Sequence, residues 1–154
     1  MSQPDRYVFG WKEFVTLPEW DLRLRAKLDT GARTSALHVR DINLGGAAEA
    51  DVGDQVQFDV VLGTKATPEH HPVSAEIVGF TTVRDSGARA ERRPIVRTRL
   101  HLGALRLVTD ITLTDRSGMN FRMLIGRRTL RGACLVDPTH GYLAGRTTDA
   151  NTPR

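Results

Sequence analysis

The sequence predicts an all-β fold: a small closed or partly closed barrel, one domain over residues 1–145, with one short helix near its C-terminal end. Three observations lead there. Short runs of alternating or β-branched apolar residues dominate the chain, glycine and proline interrupt them at short intervals, and only residues 127–131, after Gly126, carry a helical pattern. At 154 residues, with 40% hydrophobic and 26% charged, the chain has room for one core and the composition of an ordinary globular protein.

The elements follow in order. Ala26-Lys27-Leu28 is a strand leading into Asp29, and Val56 to Leu62 alternates before stopping at Gly63. Residues 63–72, punctuated by Gly63, Pro68 and Pro72, read as a loop or mobile connection. Ile77 to Val83 is β-branched and apolar; Pro94 to Leu102 ends at Gly103, and Leu105 to Leu113 resumes the alternation as its hairpin partner. Residues 146–154 are polar, lack an apolar anchor and are expected to form a flexible tail. There is no internal repeat and no low-complexity block.

Composition excludes several classes of function. No stretch approaches the roughly 18 consecutive apolar residues of a membrane span. The start, Met1-Ser2-Gln3-Pro4-Asp5-Arg6, lacks the basic and then apolar pattern of a secretory signal, so a cytoplasmic protein is expected. Cys134 is the only cysteine, which rules out an internal disulfide or a cysteine-rich zinc site and suggests a buried, inert thiol. The net charge is +4, and the segment 84–99 holds six arginines against Asp85 and Glu91, which accounts for the whole excess. Such a patch is ordinarily the solvated face of a hairpin; the functional alternative is attraction of an acidic partner, whether nucleic acid, an acidic peptide or a phosphate. Without aromatic residues to stack bases or a recognisable binding motif, nucleic acid is not the expected one.

The chemistry centres on Asp29-Thr30-Gly31-Ala32. An acid at the mouth of a strand, followed by a hydroxyl and a glycine, is how an aspartic peptidase holds a water-activating carboxylate. Hydrolysis of an amide needs a base for the water proton and an acid for the carbonyl oxygen. Two carboxylates about 3 Å apart cannot both ionise, so a close pair retains one proton and supplies both roles. Thr30 can hydrogen-bond to lock the loop, and Gly31 permits close backbone approach. Alone the tetrapeptide is a weak pattern, found also in turns and phosphate loops.

More of the chain supports it. Leu124-Ile125-Gly126-Arg127 is similar to the hydrophobic-hydrophobic-Gly-Arg element beside the catalytic loop of retroviral-type aspartic proteases. Gly10-Trp11-Lys12-Glu13, Leu17-Pro18, the run Ala26 to His38, Ser86-Gly87, Glu91-Arg92-Arg93 with Ile95, Arg116 to Met119 and Met123 to Arg127 resemble the bacterial family named ATP-dependent zinc proteases, now regarded as retropepsin-like. The resemblance runs from about Gly10 to Leu143. It implies a single-lobe retropepsin-like acid-protease β-barrel, an aspartic-type endopeptidase activity and a homodimeric site. It also implies a functional link to ATP-grasp ligases that add glutamates to proteins or peptides.

The zinc and ATP of the family's name find no motif. There is no His-Glu-x-x-His, and of the scattered histidines 38, 70, 71, 101 and 140 only His70-His71 are adjacent. In extended backbone their side chains point to opposite faces, a poor chelate. No glycine-rich loop followed by Lys-Ser or Lys-Thr exists to cradle phosphates. Neither cofactor is expected, and His38 is expected to be structural.

Asp85-Ser86-Gly87 formally repeats the motif, but Asp85 follows Asp29 by too few residues for a second lobe, and Arg84 occupies the preceding apolar position. The dyad is therefore expected from Asp29 of two subunits, across a twofold axis. Arg92 and Arg93, with Ala32 and Arg33 beside the loop and Arg127 after Gly126, are the candidate substrate-binding residues, since guanidinium groups pair bidentately with carboxylates; for Arg33 and Arg127 internal pairing that fixes the loops is the alternative. Three classes of function follow: a homodimeric aspartic peptidase acting on acidic peptides, a noncatalytic module that binds them, and a metal hydrolase true to the family's older name.

Overall fold

The computed structural model describes residues 6–44, 50–84, 87, 90–115, 120–144 and 146–147. Eleven strands, one short α-helix and one 3-10 turn (Pro18–Trp20) appear among them. In chain order the strands and helix are β1 (Tyr7–Gly10), β2 (Lys12–Leu17), β3 (Leu22–Leu28), β4 (Ser35–Asn43), β5 (Gln55–Gly63), β6 (Pro68–Arg84), β7 (Ala90–Leu102), β8 (Leu105–Thr114), β9 (Met123–Ile125), α1 (Arg127–Leu130), β10 (Cys134–Asp137) and β11 (Arg146–Thr147). Asp85, Ser86, Arg89, the run 116–119 and residues 148–154 lie outside the described residues.

The main sheet has the order β2-β3-β9-β4-β5-β6-β7-β8, and two further pairings, β2 with β7 and β4 with β8, close it into a barrel. Alternation drives this arrangement: in β3, Leu22, Leu24, Ala26 and Leu28 are buried, while Arg23 and Arg25 face out. Leu37, Ile77, Leu100, Ile111 and Met123 fill the interior with no exposed surface. The barrel expected from the patterning is thus present, with α1 as the helix after Gly126. No helix of the described residues is long and apolar enough to cross a membrane.

Residues 63–72 are not the expected loop. β5 and β6 pair from Gln55↔Glu76 to Gly63↔Pro68, leaving a turn of only 64–67. The prolines are tolerated because the first half of β6 pairs with β5 alone; β7 takes over only from Ile77 onward. The missing N–H groups can face the unpaired edge.

A second, three-stranded sheet brings the ends of the chain together in the order β10-β1-β11. Tyr7 stands beside Cys134 on one side and Thr147 on the other. Strand pairing therefore extends two residues past the expected start of the tail. Glu13, only 3% exposed, anchors this junction. Its carboxylate accepts the backbone N–H groups of Gly10 at 2.6 Å, Leu143 at 2.8 Å and Ala144 at 3.1 Å. A buried carboxylate is stable when such donors replace its hydration.

Candidate active site

Asp29 sits directly behind β3, where β9 runs parallel to β3 on one side and antiparallel to β4 on the other. Three segments converge there and are tied backbone to backbone. The Asp29 N–H donates to the Ile125 carbonyl at 2.8 Å, the Arg127 N–H to Ala32 at 2.8 Å and the Arg128 N–H to Arg33 at 3.1 Å. The half-buried Asp29 carboxylate is oriented from within its own loop, because the Gly31 N–H donates to Oδ1 at 3.1 Å. A side chain at Gly31 would put its Cβ 3.2 Å from that oxygen, which is the close approach expected of this glycine. The Thr30 side chain is exposed.

The support beneath the loop was only partly visible in the motif. Gly126 crosses Thr34 so closely that an added Cβ would lie 2.5 Å from the Thr34 carbonyl oxygen. Its N–H donates to the buried Ser35 hydroxyl at 3.0 Å; the Ser35 hydroxyl meets that of Thr129 at 3.1 Å, and Thr129 in turn meets the Thr109 hydroxyl at 2.7 Å. Ser35, Thr109 and Thr129 carry no catalytic signature. Three hydroxyls at distant sequence positions leave no spacing from which such a chain can be read.

The expected substrate arginines differ in what they do. Arg127 donates from one guanidinium nitrogen to the carbonyls of Thr30, at 3.2 Å, and Gly31, at 3.0 Å, so within the chain it positions the Asp29 loop. Ala32 is half-buried and Arg33 exposed beside it. Arg92 and Arg93 lie on β7, opposite Thr82 and Thr81 of β6. The Arg92 guanidinium stacks 3.7 Å over the Phe80 ring and donates to the Ala50 carbonyl at 3.2 Å, while Arg93 pairs with Glu91 at 3.2 Å. The structure thus joins Asp29, Thr30, Gly31, Ala32, Arg33 and Arg127 in one loop cluster and places the other two arginines on the β6–β7 hairpin.

The histidines behave as extended backbone dictates. His70 Nδ1 faces Asp59 at 3.2 Å, and His71 Nε2 turns instead to the Trp20 carbonyl at 3.0 Å. Asp41, Asp59 and His70 bring ligand atoms within 4.8 Å of one another, the one such set of three among the described residues. It uses Asp41 near the far end of β4, six residues beyond Ser35, or about 20 Å along an extended strand. His38 is buried, its pKa held below 6.5 by loss of solvent and by the Arg122 and Arg40 charges. Cys134 is half-buried, less enclosed than expected, and burial pushes its thiol up to about 11, an inert group as expected.

Known proteins share this architecture. The profile of the RimB-like family, described as retropepsin-like aspartic endopeptidase RimB, matches residues 8–147. A crystal structure of a Legionella pneumophila protein of unknown function superposes with a TM-score of 0.66 at 26% identity, covering 89% of this chain and 97% of that one. Proteins of Shewanella pealeana and Parasynechococcus marenigrum, each called a probable alpha-L-glutamate ligase, are 25% identical over 146 residues and 28% identical over 151. The matches cover 94% and 91% of this chain but 31% and 30% of those relatives, so the chain spans about a third of their length. The chain belongs to the RimB-like family of retropepsin-like aspartic endopeptidases.

Proposed function

We propose that two copies of this chain assemble around a twofold axis and hydrolyse peptide or isopeptide bonds through a dyad formed by Asp29 of each subunit. The observation that carries the reading is the construction of the Asp29 loop. Its carboxylate is fixed by the Gly31 N–H, its backbone is locked to Ile125, and Arg127 holds the carbonyls that follow it. Such preorganisation is what a group reacting with water requires. In the dyad the ionised carboxylate takes a proton from water as the oxygen attacks the substrate carbonyl, and the protonated one donates to the carbonyl oxygen. Collapse of the tetrahedral adduct then sends a proton to the leaving amine.

The substrate class rests on charge and kinship. Arg33, Arg92 and Arg93 suit side-chain carboxylates, and the ligase name of the relatives points to glutamate-rich peptides as what this chain processes. The Asp29→Asn variant tests the chemistry. Turnover of a glutamate-rich peptide is expected to fall at least 100-fold, the scale of lost general acid–base catalysis, with the variant still dimeric by sedimentation. Unchanged turnover refutes the dyad, and turnover lost with a chelator but retained by Asp29→Asn selects the metal hydrolase. Peptide binding with no turnover by the parent protein selects the noncatalytic module.

A further inference from the structure

A second feature rich in arginine lies away from the Asp29 loop. Between the outer faces of β3 and β4, the segment before β9 and the β5–β6 hairpin is an open groove of about 1140 Å³. Arg23, Arg25, Arg40, Lys65 and Arg122 line it; among the described residues Asp41 and Glu69 oppose them in its walls, with Asp59 close behind Asp41 and His70. Arg40 has a partner, Asp115, at 3.3 Å. Among the described residues Arg25, Lys65 and Arg122 have no ion-pair partner. The positive field is felt in the groove wall itself, where the Arg122 and Arg40 charges add to burial in holding the pKa of His38 down.

The position is distal. Arg25 precedes Asp29 by four residues, about 13 Å along an extended strand. β4 runs antiparallel to β9, and β9 parallel to β3, so Arg40 lies at the end of the barrel away from Asp29.

We infer that this groove is an anion-binding exosite that holds an acidic polypeptide segment several residues removed from the bond that is cut. The inference rests on the acidic-substrate part of the proposed function, but not on hydrolysis. Volume and charge select the occupant. The groove exceeds the roughly 300–1,000 Å³ of small-molecule pockets, and spaced guanidinium groups suit a row of side-chain carboxylates. Stacked bases have no platform. Among the groove's described residues the one Phe, Tyr or Trp is Phe121, which already packs edge-to-face with Trp11, ring centroids 5.8 Å apart, and carries the Arg25 guanidinium 5.8 Å from its ring centre.

The test is fluorescence anisotropy of a labelled deca-glutamate peptide on full-length Asp29→Asn protein. Salt-dependent binding is expected, weakened at least tenfold by Arg25→Ala with Arg122→Ala. Lys65→Glu, in the exposed 64–67 turn, is expected to act in the same direction and does not depend on the fold tolerating the double change. Arg106→Ala with Arg131→Ala, which removes the same charge from exposed positions outside the groove and the Asp29 loop, should leave affinity within twofold of the parent. The exosite is overturned if the groove variants bind as the parent does, or if the Arg106/Arg131 control weakens binding equally. It is also overturned if a ten-nucleotide oligothymidylate displaces the peptide at lower concentration. Turnover by Asp29→Asn would remove the dyad without touching this result, so the two readings fail separately.

Discussion

Gly126 and Arg127 show how much of the Asp29 loop depends on neighbours remote in sequence. Replacing Gly126 with Ala drives a methyl group into the Thr34 carbonyl, a backbone obstacle that cannot rotate away. A loss of about 3 kcal/mol is expected in denaturant unfolding, the upper range for overpacking. Arg127→Ala removes two charge-assisted bonds from an exposed guanidinium and should cost about 1 kcal/mol, while turnover falls because the Thr30–Gly31 backbone is released. Both bonds leave one nitrogen, so Arg127→Lys, which keeps a charged donor, should recover part of the lost stability and turnover. His38 predicts a pH effect. Its folded pKa lies below the unfolded value of 6.5, so its contribution is present above pH 6.5 and is lost as pH falls through the folded pKa. The melting temperature of His38→Gln should accordingly decline less than that of the parent between neutral and mildly acidic pH.

At the scale of elements, legibility followed the range of the interactions. β7 and β8 were readable because alternation is long in both and they meet across Gly103, a left-handed turn at φ +56°. The pairing Gly63↔Pro68 was not, because two prolines read as breakers unless one knows that their strand half has a free edge. β1, β2 and β10 cannot be read as strands, because four to six residues are too short to show a period and β1 is specified by partners at the other end of the chain; the nine-residue β4 is not legible either, because its buried run Leu37-His38-Val39 breaks the alternation. The Asp29 motif itself was legible, since its chemistry is local. Its scaffold of Ser35, Thr109 and Thr129 was not, and neither was the groove, whose arginines gather only when β3 and β4 are side by side. Glu13 belongs to this scale as well. Glu13→Ala strands three backbone N–H groups at the β1–β2 junction and the approach to β11, and should cost about 3 kcal/mol in chemical denaturation.

For the whole molecule, one barrel presents a single described Asp29 loop, and the chemistry proposed for it requires two. Activity should therefore rise faster than linearly with protein concentration near the dimer dissociation constant, and an excess of Asp29→Asn subunits should poison the parent by forming mixed pairs. The sheet of β1 between β10 and β11 adds a kinetic consequence. Tyr7 needs neighbours at 134 and 147, so nearly the entire chain must be threaded before the first strand is satisfied on both flanks. Contacts of such long sequence separation slow the search, and stopped-flow refolding should occupy milliseconds to seconds rather than microseconds. During synthesis the opening segment emerges long before the residues that cover it. Until translation reaches them, those first strands remain open to chaperones or to pairing with a neighbouring nascent chain.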